Sequence, residues 1–218
     1  MSYCPLCQST QIQAVNSIKS NKLEIFLCDC CGLAFKSLKS HLTPEEEQKR
    51  YLNHENHILS PGYREFLQQL LQPALELPQV SSQIEILDFG SGPHPALRDI
   101  LQERGFRCEI YDPFFSPARG PLEKQYDLIF CSEVAEHFRK PAQEWETLCQ
   151  LLKPSGHLAV MTQLHTYFDQ KNLQPWWYAN DPTHVSFYHE KTWRWLELKY
   201  NLSPVFTKAP VFIFRSLR

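Results

Sequence analysis

The sequence predicts an α/β domain preceded by a small cysteine module, and three observations predict it. Two Cys-x-x-Cys pairs, Cys4-Pro5-Leu6-Cys7 and Cys28-Asp29-Cys30-Cys31, stand near the N-terminus. Short apolar strands alternate with amphipathic helices between Ile84 and Met161. A glycine turn, Asp88-Phe89-Gly90-Ser91-Gly92-Pro93, joins one of those strands to the helix after it. The chain has 218 residues, room for one α/β domain of about 150 residues and an appended module.

Hydrophobic residues make up 43% and charged residues 21%, the balance of a soluble globular chain, and no apolar run approaches the ~18 residues of a membrane span. Met1-Ser2-Tyr3-Cys4-Pro5 lacks the basic start and apolar core of a secretory signal, so a cytoplasmic, reducing location is expected. The eight cysteines are then thiols or metal ligands. Lys plus Arg number 22 against 24 Asp plus Glu, with no long block of either sign. A broad electrostatic footprint for DNA or large RNA is therefore absent, while a tRNA or a nucleotide stays open.

In the first module, residues 1–42, the two pairs are separated by 20 residues, the spacing of a zinc ribbon. Each pair lets one tight turn aim two thiolates at a single ion, so Cys4, Cys7, Cys28 and Cys31 are expected to hold a structural Zn2+ in a closed Cys4 site. Reduced loop cysteines or a redox motif are the alternatives, but a redox motif needs only one pair. Cys30 is out of register and reads as a bystander. Gly32 follows where the turn calls for positive φ, and Leu23 to Leu27 suits a strand. So few apolar residues occur here that the metal should supply much of the folding free energy.

Residues 43–80 read as linking helices. Thr43 is placed as N-cap, Pro44 at the first position and Glu45, Glu46 and Glu47 in the first turn. From Gly62 to Leu77, Tyr63, Phe66, Leu67, Leu70, Leu71, Ala74 and Leu75 form an apolar stripe of helical period. Between the helices, Tyr51, His54, Asn56 and His57 are either solvated or part of a segment closing over a ligand.

In the third unit, residues 81–218, strands are expected at Ile84–Phe89, Phe106–Tyr111, Tyr126–Cys131 and Gly156–Met161, with a helix after Pro95 and another after Pro141 that buries Trp145, Leu148, Cys149 and Leu152. Gly90, Ser91 and Gly92 let a ligand approach the backbone. Asp112, at the end of the second strand, is placed to accept the ribose hydroxyls of an adenosine group. A nicotinamide enzyme would want G-x-G-x-x-G, and Pro95 stands where the third glycine belongs.

This stretch, with its "YDLIFCSEVAEHF" segment and "LLKPSGHLAV" passage, resembles the small bacterial class I S-adenosylmethionine-dependent methyltransferases from about Ile84 to Met161. The resemblance implies a Rossmann-like sheet with helices on both faces and S-adenosylmethionine as cofactor. It assigns the cofactor to Asp88, Gly90, Ser91, Gly92, Asp112, Pro113, Phe114, Cys131, Ser132, Glu133 and His137. Only 13 residues separate Asp112 from Tyr126, too few for the family's usual helix, strand and helix, so the third strand should be reduced or missing, with Phe114 covering the adenine.

Substrate residues should follow in a lid, 162–190. Trp176, Trp177, Tyr178, His184 and Tyr188 could line an acceptor pocket or pack the lid, and "DPTHV" at Asp181–Val185 resembles a passage of the same methyltransferases. His137 and His184 are the candidate bases, or else structural histidines, because a base is useful when the acceptor carries a proton. His94 and His165 read as loop residues. The expected activity is methylation of an O or N atom of a small molecule. Methylation of tRNA or a protein recognised by the ribbon, and a non-catalytic S-adenosylmethionine-binding scaffold, are the alternatives. A ribbon ahead of such a core also resembles sugar C-methyltransferases, which carry a longer chain.

Overall fold

The computed structural model describes residues 3–15, 24–52, 61–166 and 176–218; His54, Asn56 and His57 lie outside them. β1 (Ile12–Val15), β2 (Ile25–Cys28) and β3 (Ala34–Lys36) form an antiparallel meander. Its two cysteine turns are alike: the Gln8 N–H donates to the Cys4 carbonyl at 3.0 Å and the Gly32 N–H to that of Cys28 at 2.9 Å. Both turns end in positive φ, 60° at Gln8 and 74° at Gly32.

α1 (Pro44–Leu52) starts with a capping box. The Glu46 N–H donates to Thr43 Oγ1 at 3.3 Å, and the Thr43 N–H donates to Glu46 Oε2 at 2.9 Å. α2 (Pro61–Leu75) buries the Leu67, Leu70, Leu71 and Ala74 edge of its stripe.

The main sheet contains β4 (Ile86–Phe89), β5 (Cys108–Tyr111), β6 (Tyr126–Ser132), β7 (Leu152–Met161), β9 (Leu202–Lys208) and β10 (Val211–Ser216), in the order β5-β4-β6-β7-β10-β9. β5, β4, β6 and β7 run parallel, while β10 is antiparallel to both its neighbours. Strand side chains alternate between two cores. Leu87 joins Trp145 of α4 (Pro141–Gln150) and Trp193 of α5 (Glu190–Tyr200) on one face. Ile86 joins α2 and Ile100 of α3 (Ala96–Glu103) on the other. Helices therefore cover both faces. β5 is the sheet edge: after it the chain makes an Asp112–Ser116 bridge and a 3-10 turn at Gly120–Glu123 before entering β6. The short connection leaves no length for a third strand.

A two-residue strand from the 162–190 segment, β8 (Ser186–Phe187), pairs antiparallel with β3 and completes the N-terminal sheet. The Lys36 N–H also donates to the Val185 carbonyl at 2.9 Å. Cys4, Leu6, Cys31, Leu33 and Phe35 share one core with Phe138, Trp145 and Trp193. A module of this size cannot bury enough apolar surface alone, and it uses the larger domain's core instead. His165 belongs to this seam rather than to a solvated loop: it is fully buried, and its Nε2–H donates to the Gly32 carbonyl at 2.9 Å. Among the described residues, no helix is long and apolar enough to cross a membrane.

Candidate active site

β4 lies between β5 and β6, so the chain connections leave it in opposite directions and open a crevice at the carboxyl ends of the strands. A cavity of about 690 Å³ occupies it, within the range of small-molecule and cofactor sites.

One wall is the glycine turn. The N–H groups of Gly90 and Ser91 donate to the Tyr111 carbonyl at 2.7 and 3.3 Å, tying the turn to β5. Gly90 has φ 82°, and a Cβ there would lie 2.4 Å from Val134 Cγ2. Its missing side chain thus makes room for protein. Gly92, with φ 65°, has nothing among the described residues within 4 Å of its Cβ position and lines the cavity. Asp112 is buried on the same wall. Its Oδ2 accepts the Gly92 N–H at 2.9 Å, and its Oδ1 accepts those of Phe114 and Phe115 at 2.8 and 3.0 Å. Pro113 and Phe114 extend this wall, with Ser132, Glu133 and His137 opposite.

Asp88 and Cys131 do not line the cavity, because alternation along β4 and β6 turns them into the protein. Burial holds the Asp88 carboxyl at about 7, against the opposing pull of the Arg98 N–H. Burial likewise pushes the Cys131 thiol well up. Glu133 sits at φ 52°, a left-handed conformation found at strained functional positions. Burial, then the neighbouring Glu136, raise its carboxyl to about 9. The side-chain oxygens Ser91 Oγ, Ser132 Oγ, Glu133 Oε1 and Glu136 Oε1 are buried with no partner among the described residues, and all four residues line the cavity.

Of the aromatic residues expected on the substrate side, Trp177 and Tyr178 line the cavity, as does His184. Trp176 and Tyr188 do not. Trp176 packs on Phe187 and Tyr178. Tyr188 is fully buried: its hydroxyl accepts from Trp145 Nε1 and donates to the Ala135 carbonyl, both at 3.0 Å. Its polar tip is consumed in the core, which leaves it nothing to offer an acceptor.

The DPTHV passage braces the site. Asp181 accepts the Thr183 N–H and hydroxyl at 2.9 and 2.6 Å and pairs with Arg50 at 2.6 Å. Burial works against its ionisation, but Arg50 and Thr183 more than offset it and hold the carboxyl well below the usual range. His137 donates from Nδ1 to the Thr183 carbonyl at 3.0 Å, and His184 from Nδ1 to the Tyr178 carbonyl at 2.8 Å. Carbonyls only accept, so in each neutral ring Nε2 carries the lone pair. Burial, then the adjacent His137, push His184 down to about 4.

Besides Tyr51, already a candidate for a segment closing over a ligand, the cavity is lined by residues to which the sequence assigns no role. Glu47 and Tyr51 reach in from α1, Tyr63 and Phe66 from α2 and Glu144 from α4, with Glu136 from the 3-10 turn at Ala135–His137 and Arg139 and Asp181 from loops. Tyr51 donates to Glu47 Oε1 at 2.6 Å and meets the His137 ring edge-on at 5.2 Å. The one available signal was Glu133-x-x-Glu136-His137, three chemically capable residues within five positions.

The sulfurs of Cys4, Cys7, Cys28 and Cys31 form a separate cluster beneath the ribbon turns, all within 4.8 Å of one another. Cys4 and Cys31 are 3.6 Å apart and Cys7 and Cys28 3.4 Å. Tetrahedral ligands at about 2.3 Å from a zinc ion stand roughly 3.8 Å apart, so the cluster is the right size. Cys30 is exposed and outside it.

A family model described as "Methyltransferase domain" matches residues 56–205. A ubiquinone biosynthesis O-methyltransferase of Yersinia pestis (strain Pestoides F) is 28% identical over 89 residues, 41% of this chain and 37% of that protein. The chain thus matches little more than a third of the length of that curated relative. Solved structures share the fold, among them two with known partners or ligands. In a complex between the Haloferax volcanii Trm112 methyltransferase activator and a protein described as a methyltransferase, the TM-score is 0.57 at 13% identity, covering 79% of this chain and 98% of the other. Burkholderia thailandensis 1,6-didemethyltoxoflavin-N1-methyltransferase, bound to 1,6-didemethyltoxoflavin and S-adenosylhomocysteine, gives 0.51 at 14% identity, covering 93% and 99%.

Proposed function

Since the chain belongs to the methyltransferase-domain family, we propose that it transfers a methyl group from S-adenosylmethionine to an oxygen or nitrogen atom of a small acceptor bound in the cavity. Asp112 carries this reading: three backbone N–H groups fix its carboxylate beside Gly92, whose side is open. An acid so held suits a ribose diol, and Ser91 and Ser132 offer buried hydroxyls that lack partners among the described residues. S-adenosylhomocysteine in the Burkholderia structure, which shares the fold, supports the same donor.

When bound, the donor would supply an electrophilic methyl carbon on a sulfonium whose C–S electron pair stays with sulfur, and the acceptor's proton would pass to solvent or to an Nε2 of His137 or His184. This chain's residues have to hold the acceptor in line and keep water out. Phe66, Phe89, Tyr111 and Phe138 supply apolar wall, while Tyr51 and Trp177 close the lid side. His137 and His184 present Nε2 lone pairs to the acceptor. At the ribbon, Cys4, Cys7, Cys28 and Cys31 would hold one structural Zn2+, with no ligand position left for catalysis.

Calorimetry with S-adenosylmethionine, followed by a screen of metabolite pools for S-adenosylhomocysteine release, tests the proposal. Micromolar binding with turnover is expected. Absence of binding sinks it, and binding without turnover points to a scaffold. Elemental analysis should find zinc at one ion per chain in the ribbon, as counted on the protein after dialysis against a weak chelator.

A further inference from the structure

We propose that Glu136, His137 and His184 form a second, catalytic cation site, in which a divalent transition-metal ion presents open coordination positions to an oxygen of the acceptor. The inference deepens the reading of the cavity as a methyl-transfer site and rests on it. One ligand atom from each of the three residues lies within 4.8 Å of the others, and all three residues line the cavity. An ion at about 2.0–2.2 Å from each donor fits that spacing with small side-chain rotations.

The surroundings are those of a ligand set. Both histidines donate Nδ1–H to backbone carbonyls, of Thr183 and Tyr178, which leaves Nε2 of each neutral ring as the nitrogen able to ligate. Such outer bonds orient metal-ligating imidazoles. Glu136 is wholly buried, and its Oε2 is held by the Thr162 hydroxyl at 2.8 Å. Its Oε1 has no partner among the described residues, and among them no Lys or Arg makes an ion pair with it. A buried carboxylate oxygen without a donor is costly, and a cation is the ligand that would satisfy it.

Two imidazoles and one carboxylate leave coordination positions free, unlike the Cys4 cluster. Two nitrogen donors favour Zn2+, Mn2+, Co2+ or Fe2+ over Mg2+, which prefers oxygen and water. An acceptor hydroxyl bound at a free position has its pKa lowered and its oxygen fixed, so the acceptor class narrows to oxygen nucleophiles.

Mn2+ is the probe, because the thiolates of a zinc-loaded ribbon do not compete for it. In the zinc-loaded full chain, spin-resonance titration should show one bound Mn2+, with spin-echo modulation from two histidine nitrogens and enhanced water-proton relaxation from exchangeable water. Glu136→Gln and His184→Ala should each weaken Mn2+ binding by about tenfold or more, while calorimetric S-adenosylmethionine affinity stays within about threefold. No bound Mn2+, or bound Mn2+ without nitrogen modulation, overturns the site. Bound Mn2+ without relaxation enhancement overturns its open positions. S-adenosylmethionine binding is measured on the same samples, so loss of the donor reading and loss of the cation reading are told apart, and the unmutated protein's modulation decides even if a variant fails to fold.

Discussion

His137 and His184 stand ring to ring, with centroids 4.8 Å apart and planes at 72°, although 46 residues separate them along the chain. The DPTHV passage makes this possible: Thr183 receives the Nδ1–H of His137, and the next residue is the second histidine. Replacing His184 by Ala removes one ring lone pair from the cavity wall and leaves the buried Tyr178 carbonyl without its donor. Turnover should fall by about 10² or more, with cofactor affinity little changed, and stability should drop by about 1–3 kcal/mol. Equal losses in turnover and cofactor affinity in steady-state kinetics and calorimetry would rule out a role on the acceptor side.

The two glycines of the turn should fail differently. Gly90→Ala places a methyl group 2.4 Å from Val134 as well as straining φ, whereas Gly92→Ala meets only the strain. Denaturant unfolding should show a loss of about 1 kcal/mol for Gly92→Ala and of about 3 kcal/mol or more for Gly90→Ala. Val134→Ala should partly rescue Gly90→Ala and do nothing for Gly92→Ala, and a rescue of both would refute the assignment.

Asp88 should give stability a pH dependence. Its carboxyl is raised to about 7 by burial, with Asp112 and Asp99 adding repulsion and the Arg98 N–H and charge opposing it. The unfolded chain releases this proton near the ordinary value, so the favourable contribution is complete at low pH and is lost as pH rises toward about 7. Urea midpoints measured from pH 4 to 7 should fall less steeply with pH in Asp88→Asn than in the parent chain. An unchanged slope would show that Asp88 ionises freely.

Metal removal should be felt far from the cysteines. β8 is paired with β3, whose neighbours Cys31 and Leu33 share the core with Phe138. Stripping zinc should speed amide exchange at residues 34–36 and 185–187 by about tenfold or more, with β4 and β6 protected. If the exchange change stayed within residues 3–36, the lid would be independent of the ribbon.

The cysteine spacing, the strand–glycine–helix turn, Asp112 and the shortened connection after it were legible because each is a local pattern read over a few residues. Local pattern does not say which way a side chain faces. Cys131 lies in the site segment, but strand alternation points it inward, and Tyr188 has an acceptor-side aromatic's chemistry spent on Trp145 and Ala135. By itself, then, the sequence determined the two cysteine turns, the strands and the glycine turn, since side-chain periodicity and positive φ are properties of adjacent residues. Only the tertiary structure decided that α1 supplies Glu47 and Tyr51 to the cavity, that β8 completes the ribbon's sheet, and that His184 meets Glu136 and His137. Those contacts join residues tens to more than a hundred positions apart, and they form because neither the ribbon nor the lid has enough apolar surface to fold away from the shared core.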